Sequence, residues 1–267
     1  MPAVNEAEIK SAYDDLIEYS YNNLSGAERN EGIVLCEDLE TYCLGGRWAG
    51  LALDYRRAWL GEIIRRVQGL ISSKDAIVAG TTSRKVLVER LSGDAGCRPL
   101  KISTIGFSQY TVNRHFQSHY VGQPEWVANK EIKDVAKVLR GEPKKSTDLR
   151  IRLHLHAGTW VALNNRGFAL HCLANVVPRR LAFDPDLSSD ETSRMTKSFA
   201  DSGLRLTMSI PESRRSKDQW SKTIPTLITG IPETRNSVEI LYTIKAIGMA
   251  VGAAADVGNE IVYNTGP

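Results

Sequence analysis

The sequence predicts an α+β fold: a helical region at the N-terminus, then a small mixed sheet, then a loop-rich C-terminal part that ends in a helix. Two patterns carry this prediction. No proline occurs between residues 3 and 98, and apolar side chains recur there at helical spacing. Residues 149–156 instead alternate between apolar and polar side chains, as a half-buried strand does.

Helices are predicted between residues 6 and 91. Trp48, Tyr55 and Trp59 follow one another at spacings of seven and four, so they should share one helix face, which is typical of a core. The basic pairs of this region are interpreted as a solvated face, with a phosphate-binding face as the alternative. These pairs are Arg56–Arg57 and Arg65–Arg66.

The composition changes around residues 94–101, which are predicted to be a linker. We therefore expect a helical region at 1–93, an α/β core at 99–186 and a loop-rich extension at 187–267. In chain order, the core should contain a short strand at 99–107, a helix from 108 to 119, a helix at 132–141, strands at 149–155 and 159–163, a helix at 167–176 and a strand at 178–184. A terminal helix is predicted at 236–257.

Composition permits several classes of partner. A net charge of +3 and a pI near 8.6 allow nucleic acid as a partner without requiring it. Four widely spaced cysteines without a CxxC motif predict reduced, buried thiols. The N-terminus lacks a secretory pattern, and charges interrupt the apolar C-terminal stretch well before the ~20 residues of a membrane span. We expect a cytoplasmic protein without a membrane span.

The turn Asn164-Asn165-Arg166 lies between a predicted strand and a predicted helix. A helix that begins there exposes backbone N–H groups and the positive end of its dipole, which favour anions. An arginine adds a planar bidentate donor suited to phosphate, and an asparagine is a common N-cap. The sequence therefore predicts a phosphate-binding turn. The alternative is that the asparagine only caps and the arginine pairs with an acid.

The order of elements in 100–183 resembles the ParB/sulfiredoxin-like superfamily, especially the nuclease branch found in bacterial polymorphic toxins. In that branch an Asp/Asn-X-(X)-Arg turn opens a helix and lines a phosphate pocket, which Asn164, Asn165 and Arg166 match. Ser108 and Gln109 match an earlier Ser-Gln that precedes a helix. Asn164 replaces the acid of many relatives. Cys172 lies two turns into the helix, not in the turn, which speaks against sulfiredoxin chemistry.

Two histidines extend the candidate site. His154 and His156 lie on the polar face of the alternating strand, beside Arg150 and Arg152. Histidines at i, i+2 can act in acid–base chemistry or bind a metal, and solvated sheet residues are the alternative. His115 and His119 have the i, i+4 spacing of a metal pair on a helix, but no carboxylate accompanies them.

The resemblance implies a toxin or effector nuclease that hydrolyses phosphodiester bonds of nucleic acid. Arg166, with His154 or His156 as general base or acid, is then catalytic. The phosphate or substrate is bound by Asn164, Asn165, Gln109, Ser108 and Arg152. A divalent cation and a cognate immunity protein are the further cofactor and partner to consider. The site would act in the cytoplasm of the producer or of the target cell.

Two alternatives remain open. One is a nucleotide-binding enzyme of the same superfamily that transfers a phosphoryl group or hydrolyses a nucleoside triphosphate. The other is a non-catalytic module that binds DNA or a protein partner.

Overall fold

The computed structural model describes residues 6–72, 75–78, 82–93, 97–108, 112, 115–117 and 123–199, together with four strands beyond residue 200. The chain divides into two compact units, Met1–Leu100 and Lys101–Pro267. The division falls in the stretch that the sequence predicts to be a linker.

The first unit is built mainly of helices, as predicted. They are α1 (Glu6–Asn23), α2 (Gly26–Cys43), α3 (Gly45–Gly50), α4 (Leu53–Leu70) and α5 (Arg84–Ser92). A short antiparallel pair of strands, β1 (Ala76–Val78) and β2 (Thr82–Ser83), precedes α5 and was not expected from the sequence.

The predicted aromatic face forms part of the core of this unit. Trp48, Tyr55 and Trp59 are all buried. The ring of Trp59 stacks on Tyr42 with centroids 3.9 Å apart. These contacts assign the aromatic residues to packing.

One basic residue of α4 contradicts the predicted solvated face. The side chain of Arg66 is only 2% exposed, and its Nη1 lies 2.6 Å from Oδ2 of Asp38 on α2. Burial of a guanidinium requires such a partner, because an uncompensated buried charge costs several kcal/mol. Arg66 therefore joins two helices inside the unit.

The second unit contains a mixed sheet and the helices that flank it. Its elements are β3 (Gly106–Phe107), α6 (Ile132–Gly141), β4 (Arg150–His156), β5 (Thr159–Ala162), α7 (Asn165–Ala174), β6 (Arg180–Phe183) and α8 (Ser189–Phe199). The sheet has the strand order β3-β5-β4-β6. A 3-10 helix, Pro143–Asp148, leads into β4.

The predicted antiparallel pairing of β4 and β5 is confirmed, with His154 opposite Val161 and His156 opposite Thr159. The two strands are joined by Ala157 and Gly158, whose φ angles are 46° and 78°. Two successive positive φ angles are typical of the tight type I′ hairpin turn. His156 thus lies at the hairpin end of the sheet, and the Asn164 turn lies at the opposite end.

Different helices cover the two faces of this sheet. A Cβ added to Gly167 of α7 would lie 3.2 Å from Cδ1 of Ile151, so α7 packs on the apolar face of β4. Met195 of α8 packs with Val161 and Leu163 on the other face. Because residues directly opposite in a pair point to the same side, the α8 face also carries His154.

Two predicted helices are wrong where the structure describes them. Residues 112 and 115–117 are not helical, and His115 instead forms an isolated bridge with Glu131. Ile240–Ile244 form a strand inside the predicted terminal helix. The other residues of 236–257 lie outside the described residues. This strand belongs to a second sheet, made of β7 (Thr207–Ile210), β8 (Thr226–Thr229), β9 (Ile240–Ile244) and β10 (Tyr263–Asn264).

Candidate functional site

The first residue of the predicted motif, Asn164, occupies the N-cap position of α7, but its side chain does not cap the helix. Its Nδ2 donates to the carbonyl of Arg150 at 2.7 Å, and its Oδ1 accepts from the N–H of Arg152 at 2.8 Å. A side-chain amide carries the same donor and acceptor as a peptide group. Asn164 therefore continues the hydrogen bonding of β4 beyond the last residue of β5.

Asn165 is the first residue of α7 and makes a reciprocal pair with Ser108, just after β3. The N–H of Ser108 donates to Oδ1 of Asn165 at 2.8 Å, and Nδ2 of Asn165 donates to Oγ of Ser108 at 2.7 Å. The Ser108 hydroxyl in turn donates to the carbonyl of Ala162. Both side chains are buried, so the pair fixes the start of α7 against the ends of β3 and β5.

Because of these bonds, neither Asn164 nor Asn165 caps the start of α7 with its side chain. The N–H groups of Gly167 and Phe168 bond to the carbonyl of Asn164, as in an ordinary first turn. Neither asparagine side chain covers the positive end of the helix dipole. The motif thus holds the helix start in place through its side chains, without using either asparagine as a cap.

Arg166, the second residue of α7, is half-buried, and its guanidinium carbon lies 5.3 Å from the centroid of the Phe116 ring. The backbone of Phe116 is fixed by a bond from its N–H to the carbonyl of Lys130. A guanidinium that stacks on a ring keeps its N–H donors at its edge, where they can meet a planar or tetrahedral anion. Phe116 is a site residue that no sequence pattern indicated.

Arg152 lies on the other face of the sheet and is engaged by two acids. Its Nη2 lies 2.6 Å from Oδ2 of Asp184, and its Nη1 lies 2.8 Å from Oε1 of Glu191 on α8. Burial would raise the pKa of Glu191, but bonds from Ser188 and the charge of Arg152 hold it below its usual value. Arg152, which the sequence predicted to bind substrate, is thus already paired with two acids.

The predicted histidines are separated from Arg166. His154 shares the α8 face, where its Nδ1 lies 2.9 Å from the carbonyl oxygen of Asp184. His156 lies at the hairpin end, about 13 Å along β4 from Arg152 at ~3.3 Å per residue. Since α7 packs on the opposite face, the structure does not bring His154 or His156 together with Arg166.

The other predicted site residues have different outcomes. Gln109 and His119 lie outside the described residues. His115 pairs with Glu131, whose Oε1 lies 3.5 Å from its Nε2. Among the residues that the structure describes, no group of three or more His, Cys, Asp or Glu side chains could hold a metal ion.

A buried serine and histidine lie at the last turn of α7. Nε2 of His171 lies 2.9 Å from Oγ of Ser146, and its Nδ1 lies 2.8 Å from the carbonyl oxygen of Gly167. Burial lowers the pKa of His171 to about 4, so the ring is neutral at pH 7. Oγ of Ser146 also accepts from the N–H of Arg179. Neither side chain is exposed, so the pair is structural.

The cysteines are free and buried, as the sequence predicts. Burial raises the pKa of Cys36 to about 12 and the pKa of Cys172 well above its usual value. Because the thiolate is the reactive form, Cys172 is a poor nucleophile in this position.

The comparisons with known proteins do not assign the chain. No family model matches it, and neither the curated proteins nor the solved structures contain a significant match. Within the part of the chain that the structure describes, no helix has the length and apolar character needed to cross a membrane.

Proposed function

We propose that this protein binds nucleic acid through a phosphate group at the start of α7 and hydrolyses the phosphodiester bond. The observation that carries the proposal is Arg166, held over the Phe116 ring at a helix start that the side chain of its N-cap residue, Asn164, does not cap. The first turn of α7 carries backbone N–H groups, the positive end of the helix dipole and a guanidinium, which are the groups that phosphate favours.

The distribution of charge supports an anionic substrate. Residues 101–267 contain 22 Lys and Arg against 16 Asp and Glu, whereas residues 1–100 contain 12 against 15. Phosphate contacts by basic side chains supply most of the non-specific affinity for nucleic acid. The excess of basic residues therefore lies in the unit that contains the candidate site.

In the proposed reaction a water molecule adds to phosphorus and one ester P–O bond breaks. The guanidinium of Arg166 would bind a non-bridging oxygen and stabilise the charge that develops there. His154 and His156 lie across the sheet from this point, so their predicted acid–base role needs a substrate that also reaches the α8 face. A toxin role and an immunity protein as partner follow only from the resemblance.

A second candidate is a module that binds nucleic acid without cleaving it. The separation of His154 and His156 from Arg166 favours this candidate, because it places neither predicted histidine beside the bound phosphate. Both candidates predict the same binding site and differ only in whether the bond is broken.

The experiment compares Arg166→Ala with Arg194→Ala, which removes an exposed arginine of the same unit. Each protein is incubated with single-stranded DNA, duplex DNA or RNA, with Mg²⁺, Mn²⁺ or EDTA, and cleavage is followed on gels. We expect Arg166→Ala to lower the rate by about 10²–10³, as loss of a transition-state donor does. Arg194→Ala should leave the rate unchanged.

Stability is measured on the same variants. Removing the contact with Phe116 should cost about 0.5–1 kcal/mol, so Arg166→Ala should remain folded. A folded Arg166→Ala protein with full activity would place the site elsewhere. An unfolded one would show that the arginine is structural. Binding by the unmodified protein without cleavage under any condition would select the second candidate.

A further inference from the structure

Helix α8 lies on the sheet face opposite α7 and contacts that face through few side chains. In residues 189–196, the part of α8 whose side chains the structure describes, the buried residues are Glu191 and Met195. They are four residues apart and therefore lie on one side of the helix. Met195 packs on Val161 and Leu163. In this part of the helix, the contact with the sheet combines one apolar side chain and one carboxylate.

That carboxylate, on Glu191, holds both the start of α8 and its place on the sheet. Its Oε2 accepts from the N–H and the hydroxyl of Ser188 at 3.0 and 2.9 Å, and Oγ of Ser188 accepts from the N–H of Glu191. This reciprocal arrangement is a capping box, which stabilises the first turn of a helix. Oε1 of Glu191 accepts from Nη1 of Arg152 on β4 at 2.8 Å. One side chain therefore couples the start of α8 to the sheet.

The arginine of this ion pair is also anchored to the sheet. Nε and Nη2 of Arg152 both donate to Oδ2 of Asp184, at 3.2 and 2.6 Å. The N–H of Asp184 donates to the carbonyl of Leu153 at 2.8 Å, which fixes Asp184 just after β6. Arg152 is thus held in place without α8. An isolated helix of 11 residues is marginal in water, so α8 depends on its contacts with the sheet.

His154 lies between the two contacts that α8 makes. It is two positions from Arg152 on β4, so both side chains point to the same face, and Val161 is its direct partner on β5. Nδ1 of His154 lies 2.9 Å from the carbonyl oxygen of Asp184. Because a carbonyl only accepts, Nδ1 of the neutral ring carries the proton, and Nε2 is the nitrogen that can take one up. The half-buried ring is therefore oriented as a base on the face that α8 covers.

We propose that α8 is a movable cover over His154, held on the sheet by the ion pair between Glu191 and Arg152, and that release of this pair opens the His154 face to solutes. The inference goes beyond the proposed function, because it concerns the opposite face of the sheet and holds whether or not Arg166 binds phosphate. Opening gives a substrate the access to the α8 face that an acid–base role of His154 requires.

The test uses variants that remove one contact of α8 at a time. Glu191→Gln breaks the ion pair and keeps the helix cap, because glutamine forms the same capping box and carries no charge. Met195→Ala removes the apolar contact instead. The matched control is Glu142→Gln, which breaks an ion pair with Lys145 in the same unit.

Two measurements are made on each protein at pH 7. Reaction with diethyl pyrocarbonate, which acylates neutral imidazole, is followed at His154 by mass spectrometry, with the completely buried His171 as an internal reference. A peptide of residues 150–156 gives the rate for a fully exposed His154. Hydrogen exchange of the backbone amides shows whether α8 itself opens.

Glu191→Gln should raise the rate at His154 about fivefold, which is close to the largest shift that an ion pair in contact with solvent usually gives. Met195→Ala should raise the rate further, because a buried apolar side chain contributes more. In both variants exchange of α8 should accelerate, while α7 and His171 keep their protection. Glu142→Gln should change none of these rates.

Four results would overturn the proposal. If His154 of the unmodified protein reacts as fast as the peptide, α8 does not cover it. Unchanged rates in both variants would show that these contacts do not hold α8 in place. A faster reaction at His154 without faster exchange of α8 would reflect a local change of side chains only. If α7 and His171 lose protection together with α8 in both variants, α8 does not move separately from the core.

Discussion

At the scale of single residues, the side-chain amides of the two asparagines in the turn make hydrogen bonds of the kind that backbone peptide groups make within a sheet. Asn164 bonds two backbone groups of β4, and Asn165 bonds both the N–H and the hydroxyl of Ser108. A buried polar group that loses its partner costs more than the bond itself contributes. The turn is therefore specified by amides, which donate and accept at the same time.

Asn164→Asp tests this role because the change keeps the shape and exchanges the donor for an acceptor. The new oxygen would face the carbonyl oxygen of Arg150, so two acceptors would repel. We expect the free energy of unfolding to fall by about 1–3 kcal/mol, measured by urea denaturation. Asn30→Asp, at an exposed position of α2, should change it by less than about 0.5 kcal/mol. Equal effects of the two changes would contradict the role of Asn164.

The sequence predicted the position of this turn but not its bonds. A strand followed by Asn-Asn-Arg and an apolar run predicts a helix start, and α7 begins there. The expectation that an asparagine caps the helix was wrong, because the Asn164 side chain reaches β4 instead. The partner of the Asn164 side chain is a strand residue twelve positions away in the chain. The preference of asparagine for the N-cap position, which is a local property, does not predict such a bond.

At the scale of elements, α2 and α4 are joined by a buried ion pair. The side chains of Asp38 and Arg66 are 8% and 2% exposed, and the bond between them measures 2.6 Å. Removing one partner from such a pair leaves a buried charge, whereas replacing both with apolar side chains is often tolerated. The pair therefore constrains which helices can pack together.

Asp38→Ala should lower the free energy of unfolding by about 3–5 kcal/mol. Asp38→Leu combined with Arg66→Met should cost much less, although it alters two positions. The matched control is Asp14→Ala, which breaks the exposed Lys10–Asp14 pair of the same unit and should cost less than about 0.5 kcal/mol. Urea denaturation followed by circular dichroism measures all three. A loss in Asp38→Ala no larger than in Asp14→Ala would contradict a buried pair.

Elements with a strong period were predicted, and elements that depend on distant partners were not. β4 alternates because one face is buried and the other is partly solvated, so its sequence shows the period of two. The predicted helix over 108–119 failed at His115, whose conformation is set by a bridge to Glu131. Ile240–Ile244 is rich in branched and aromatic residues, which favour a strand once neighbouring strands are present.

At the scale of the whole molecule, titratable groups are unevenly divided between the two units. All five histidines lie in residues 101–267, which also hold the excess of basic side chains. The sequence showed the total charge of +3, and this small total conceals the contrast between the units. We therefore expect a fall in pH to destabilise the second unit before the first.

His171 is the residue of the second unit from which the effect of pH on stability can be derived. Its ring is completely buried between Ser146 and Gly167, and burial lowers its pKa to about 4 from a usual value near 6.5. The unfolded chain therefore binds a proton more readily than the folded one below pH 6.5. The stability that the neutral ring supports is complete above that pH and declines as the pH falls toward 4. At ~1.4 kcal/mol per pKa unit, the loss reaches about 3 kcal/mol.

Hydrogen exchange followed by mass spectrometry can resolve the two units. Between pH 7 and 4.5, corrected for intrinsic exchange, protection of α7 and β4 should weaken by up to about 2 kcal/mol, while α2 and α4 change little over the same range. NMR titration of the His171 ring is the independent check, because its resonances should stay those of a neutral imidazole until the pH approaches 4. A midpoint near 6.5 would show that the ring reaches solvent. Weakening of α2 and α4 ahead of α7 would show that the carboxylates of the first unit govern acid stability.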